Sequence, residues 1–167
     1  MLPAADQGAT GQANVTVAGA RTAAMAGRTG AVRDPEPDDV KQVIVIRRDL
    51  KMRRGKEIAQ GAHASSAWLV SAVADAVDAR DGAATVVLDA AARVWITSSW
   101  RKVTLQVQTE DELVALHDAA VARGLRAHLV RDSGKTEFGG VATLTALAIG
   151  PDLAAAIDEV TGELTLY

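Results

Sequence analysis

Three residues at helical spacing, Lys56, Gln60 and His63, put a cation, an amide and an imidazole on one strip of surface. At 100° per residue they lie within about 60° of one another. The apolar positions Ile58, Ala62, Leu69, Val73 and Val77 form a separate arc. Small neighbours (Ala59, Gly61, Ala62, Ala64) leave room for a ligand or another backbone to come close. Far along the chain, Asp132-Ser133-Gly134-Lys135-Thr136-Glu137 supplies a carboxylate and a hydroxyl in a Gly-containing loop after a strand, the kind of place where α/β proteins collect functional groups. Each residue also has a plainer reading, as a solvated helix face or an ordinary turn Asp.

Other chemistries lack their residues. The chain has no cysteine, which excludes thiolate ligands, disulfides and a Cys nucleophile. His63, His117 and His128 share no metal-ligand spacing, so no metal is expected. No GxSxG elbow, GxxxxGK[ST] loop or GxGxxG turn is present.

Charge narrows the substrate. The net −3 of the chain divides into −2 for residues 1–40 and −1 for residues 41–167. Within the latter, the ten residues Arg47 to Lys56 hold six cations against Asp49 alone. Such a patch on an otherwise acidic body points to a polyanion. It lies between an apolar strand and a helix N-terminus, where free backbone N–H groups and the helix dipole favour a phosphate. Arg47, Arg53 and Arg54 are the expected phosphate ligands, with Gln60 and Lys135 as further substrate contacts.

The elements that must hold these groups follow from periodicity. Residues 1–40 read as a disordered, Ala/Gly-rich tail ending in Asp34-Pro35-Glu36-Pro37-Asp38-Asp39, and residues 41–167 as the domain. Gln42–Ile46 is apolar on both faces, as in a central strand. A helix is expected from Gly55 to about Arg80, and a short one around Leu88–Val94. Strand Lys102–Gln108 precedes a helix opened by the capping pattern Thr109-Glu110-Asp111-Glu112 and closed at Gly124. Strands at Ala127–Arg131 and Ala142–Ile149 follow. Then comes a helix with Pro151 at its first position, and Leu164–Tyr167 as a possible edge strand. The order gives an α/β fold, a three-layer sandwich with a mixed four-stranded sheet flanked by helices. No run reaches membrane-span length and the N-terminus has no signal-peptide pattern, so a cytoplasmic protein is expected.

The stretch Lys41 to Lys56, followed by Ala59-Gln60-Gly61-Ala62-His63-Ala64, resembles the opening of the type 2 peptidyl-tRNA hydrolases. Leu129-Val130-Arg131-Asp132-Ser133-Gly134-Lys135-Thr136, Leu147-Ala148-Ile149-Gly150-Pro151 and Asp158-Glu159-Val160-Thr161-Gly162-Glu163-Leu164 continue the likeness in order across residues 41–167. The resemblance implies a homodimer without cofactor that hydrolyses the ester between a peptide and the 3′ end of tRNA, binding the acceptor end of peptidyl-tRNA. The positions matching the family's functional residues are Lys51, Lys56, Gln60, His63, Asp132 and Thr136. On that resemblance water would attack the ester directly, with Asp132 holding or deprotonating it, Thr136 helping to position it and His63 as the alternative base, while Lys51 or Lys56 would stabilise charge on the carbonyl oxygen. The departures are Gly61 in place of Cys, Arg53-Arg54 in place of Gly-Lys, Lys135-Thr136-Glu137 in place of Arg-Thr-Gln, and Phe138-Gly139-Gly140 in place of Ile-Ala-Pro. They keep a second reading open, a tRNA-binding module with weak or no hydrolysis.

Overall fold

The computed structural model describes residues 33–78 and 80–167. The tail expected to be disordered falls, for residues 1–32, outside the described residues. A 3-10 turn at Pro37–Asp39 leads into β1, Val40–Arg47, one residue before the expected domain boundary. The remaining elements are α1 (Arg54–Ala76), α2 (Ala90–Thr97), β2 (Lys102–Val107), α3 (Glu110–Ala122), β3 (Ala127–Asp132), β4 (Thr143–Leu153) and α4 (Ala154–Thr161).

The four strands form one sheet in the order β2-β1-β4-β3. β1 runs parallel to β2 and antiparallel to β4, which is antiparallel to β3. Every residue of β1 is buried, because helices cover both faces. Val43 and Val45 pack with Leu113, Ala120 and Ile157 from α3 and α4. Ile44 and Ile46, on the alternate face, pack with Ala64 of α1 and with Met52. Period-two alternation in a strand thus becomes the three layers of the sandwich. One further cluster joins Val40, Trp68 of α1 and Trp95 of α2 at the opposite end of β1.

The capping expectation at α3 holds at Thr109, while Glu112 reaches one residue past the N-cap. Thr109 Oγ1 accepts from the Glu112 N–H at 3.1 Å, and Glu112 reaches back to the Gln108 N–H at 2.7 Å. One expectation fails. Pro151 does not begin a helix: β4 continues through it to Leu153, pairing Asp152 with Lys41 and Leu153 with Val40, so α4 starts at Ala154. The apolar arc of α1 does not face the sheet. Ile58, Leu69, Val73 and Val77 are 67%, 36%, 39% and 45% exposed, whereas Gln60, Ala64, Ala67 and Trp68 are buried. Amphipathic spacing identifies which side is apolar without saying what covers it. Here Ala64 and Ala67, being small, let the helix lie close on the sheet. The final residues Thr165–Tyr167 run along the β2 edge, donating from Tyr167 N–H to Thr104 O and accepting at Thr165 O from Gln106.

Candidate active site

The strand directions bring the ends of β1, β2 and β3 and the start of β4 to one edge of the sheet. The turn after β1, the N-terminus of α1 and the loop after β3 therefore meet there. Carboxyl ends of strands are where open α/β sheets usually take ligands. In the turn, Lys51 adopts φ +47 and its N–H bonds back to Arg48 O at 3.2 Å. Met52 then turns inward into the core, and Arg53 is the N-cap of α1.

Asp132 ends β3, and its carboxylate is the hub. Lys56 donates to Oδ2 and also to Thr136 Oγ1 at 3.1 Å. Gln60 Nε2 reaches the same Oδ2 at 3.2 Å, and the Gly134 N–H donates to Oδ1 at 2.8 Å. The side chains of Lys56 and Asp132 are only 14% and 12% exposed, so little water screens the pair. Burial by itself raises the Asp132 carboxyl. The bonds from Lys56, Gly134 and Gln60, with the charge of Lys56, outweigh it and hold the carboxyl below its ordinary value. Gly134 is required in this loop. Its φ is +78, and a Cβ there would lie 2.3 Å from the Val141 carbonyl oxygen.

One supporting residue escapes sequence reasoning. Thr145, fully buried, donates to Gln60 Oε1 at 2.6 Å and fixes which end of the amide faces Asp132. The register of β3 on β4 passes from Val130↔Ala146 to Arg131↔Leu144, so Thr145 is the extra residue of a β-bulge. Strict alternation would assign Thr145 to the α3 side, with Leu147 and Ile149. The bulge re-aims it at α1. A lone Thr between Leu144 and Ala146 in an apolar strand was the available signal.

The structure thus joins Lys56, Gln60, Asp132 and Thr136 in one hydrogen-bonded group. His63 is exposed one turn beyond Gln60, and its ring has no hydrogen-bond partner among the described residues. Lys51, Arg54 and Lys135 are exposed around the group, and none of these side chains is ion-paired among the described residues. Arg53 is exposed and bonded to Glu137, so two of the positions read as departures meet in space. Arg47 is a correction. It is buried on the α3 side of the sheet, bonded to Asp49, Glu110 and the Leu144 carbonyl. Its hydrogen-bonding capacity is spent inside the protein, and it is not placed to hold a phosphate. Among the described residues, no group of three or more His, Asp or Glu is gathered as metal ligands would be.

Comparison with known proteins gives the group a context. A family model described as peptidyl-tRNA hydrolase PTH2 matches residues 40–167. A peptidyl-tRNA hydrolase of Methanopyrus kandleri is 42% identical over 126 residues, 75% of this chain and 97% of the relative. One of Methanocaldococcus jannaschii is 37% identical over 127 residues, 76% of this chain and 99% of the relative. A probable peptidyl-tRNA hydrolase 2 of Schizosaccharomyces pombe is 39% identical over 127 residues, which make up 56% of that protein.

Proposed function

This chain belongs to the type 2 peptidyl-tRNA hydrolase family, and we propose that it cleaves the ester between a peptide and the 3′ end of tRNA at the Asp132 group. The observation that carries this reading is the junction of Lys56 with Asp132 and Thr136, residues about eighty positions apart in the chain, beside the N-terminus of α1.

Water attacks the ester carbonyl directly, with no covalent enzyme intermediate. Asp132, kept ionised, is a persistent anion and a weak proton acceptor, so its part is to orient the water and hold Lys56. The ammonium of Lys56 has three protons, and two are given to Asp132 and Thr136. The third is available to the carbonyl oxygen as it gains charge, in a site where little water competes. Thr136 accepts from Lys56 and so keeps its own hydroxyl proton free to bond the water. The water's oxygen bonds to the carbonyl carbon, the bond to the ribose oxygen breaks, and a proton passes to the departing ribose hydroxyl. His63, exposed one turn beyond Gln60, is the group proposed to move that proton. Lys51, Arg53, Arg54 and Lys135 surround the group with positive charge, where phosphates of the acceptor end would lie.

The enzyme acts as a homodimer in the cytoplasm, where its substrate is made. The exposed stripe of Ile58, Leu69, Val70 and Val73 along α1 supports self-association, because contiguous apolar surface on a helix favours a covering partner. No helix among the described residues is long and apolar enough to cross a membrane. Sedimentation of the wild type and Val73→Lys tests the dimer: a shift to monomer in the variant supports it, and a monomeric wild type removes it.

The hydrolase reading is tested with N-acetyl-aminoacyl-tRNA, using free aminoacyl-tRNA as the control. Catalytic turnover selective for the N-blocked substrate is the expected result. Saturable tRNA binding without turnover would contradict it and favour a binding module on this fold.

A further inference from the structure

Arg53 and Glu137 form an ion pair across the mouth of the site, linking the N-terminus of α1 to the loop after β3. An acid so close to a phosphate-binding surface is expected to oppose RNA. The geometry of this pair argues otherwise. Glu137 Oε1 accepts from Nε of Arg53 at 2.6 Å, on the inner edge of the guanidinium. The two terminal amino groups of Arg53 make no other hydrogen bond among the described residues. The exposures are unequal as well, with the Arg53 side chain 79% and the Glu137 side chain 16% exposed. An approaching anion therefore meets the cation first, and the carboxylate lies behind it.

The backbone that carries Glu137 is well anchored, and its side chain bonds Arg53. It is the N-cap of the 3-10 turn Phe138–Gly140, in which Phe138 is held at φ +66. The Gly140 N–H closes the loop on Gly134 O at 3.0 Å. An exposed arginine ordinarily samples many rotamers, and fixing it on a ligand costs side-chain entropy. A carboxylate that grips Nε removes much of that freedom beforehand and leaves the end-on fork, Nη1 and Nη2, aimed outward. That fork has the geometry that matches two oxygens of one phosphate. As N-cap, Arg53 also stands beside the opening turn of α1, whose dipole favours the same anion.

We propose that Glu137 is a positioning residue that holds the Arg53 guanidinium as a preformed fork for a backbone phosphate of the tRNA acceptor end. The proposal rests on the tRNA reading given above and deepens it. Loss of the carboxylate weakens RNA binding, although it removes a negative charge from the binding face.

The test is equilibrium binding of uncharged tRNA to the full chain at two or more salt concentrations, with Glu137→Ala, Glu137→Gln, Arg53→Ala and the double alanine variant. Glu137→Ala is expected to weaken binding severalfold, as Arg53→Ala does, and the double variant to be no weaker than Arg53→Ala. Gln keeps an oxygen acceptor for Nε, so Glu137→Gln should recover most of the loss. Arg53→Ala should also reduce the slope of log affinity against log salt by up to about one. Tighter binding by Glu137→Ala would overturn the proposal, because the carboxylate would then be masking the guanidinium. Unchanged affinity, or additive losses in the double variant, would overturn it too. Binding is read independently of turnover, so this proposal and the hydrolase reading fail by different results.

Discussion

The basic run from Arg47 to Lys56 divides into two halves with opposite duties. The first half is bonded to the protein itself. Arg47 lies buried among Asp49, Glu110 and the Leu144 carbonyl. Arg48 pairs with Glu57 at 3.5 Å, bonds the Tyr167 hydroxyl at 3.1 Å and stacks over its ring at 5.0 Å. The second half faces the site: Lys56 on Asp132, Arg53 on Glu137, with Lys51 and Arg54 exposed. A charge run is therefore not a count of ligands for a polyanion. Four of its six cations serve the substrate at most, and two hold the turn in place.

The largest effect separating the halves is on stability. Arg47→Ala removes a buried guanidinium that ties two partly exposed carboxylates, Asp49 and Glu110, to the Leu144 carbonyl. It should cost about 3 kcal/mol and lower Tm by roughly 10 °C in thermal unfolding. A Tm within a degree or two of wild type would erase the distinction.

In the other half, Arg54→Ala should leave Tm unchanged and weaken tRNA binding severalfold, with the salt slope falling by up to about one. If Arg54→Ala lowered Tm as Arg47→Ala does, the outward half would be structural as well. Tyr167→Phe removes one bond to Arg48 at a largely exposed site and should cost no more than about 0.5–1 kcal/mol. A larger cost would place Arg48 with Arg47 as a principal support.

The smallest expected effect is a null one, on pH. The Asp132 carboxyl lies below its ordinary value of 3.8 in the folded protein. Its ionised pairing is thus fully present above that value and is lost only as pH falls through the lowered one. Asp132 should contribute no change in kcat between about pH 5 and 8. An acid limb in that window that disappears in Asp132→Asn would contradict this assignment.

Much of this arrangement was legible in local pattern. The alternation of β1, the Thr109 cap and the polar strip of α1 depend on neighbours in sequence, and the strip led to Lys56 and Gln60 before any fold was known. What depended on long-range packing was not legible. Arg47 shares the parity of Val43 and Val45, which places it on the α3 face, away from Asp132. Only with α3 in place does Glu110 become its partner. Gly150-Pro151 carries the local signature of a helix start, yet pairing with β1 carries the strand past it. Thr145 was hidden because a bulge breaks the alternation that would have located it. His63 shows a further limit, since spacing put it on the strip and the fold left it outside the hydrogen-bonded group.

The central claim is that the group around Asp132 performs the chemistry while the outward cations bind the RNA. The most direct measurement is Asp132→Asn, followed for both turnover of N-acetyl-aminoacyl-tRNA and affinity for uncharged tRNA. The expected result is a fall in kcat of about a hundredfold or more, with affinity within a few-fold of wild type. Equal loss of turnover and affinity, or turnover left intact, would contradict the assignment of Asp132 to the reacting centre.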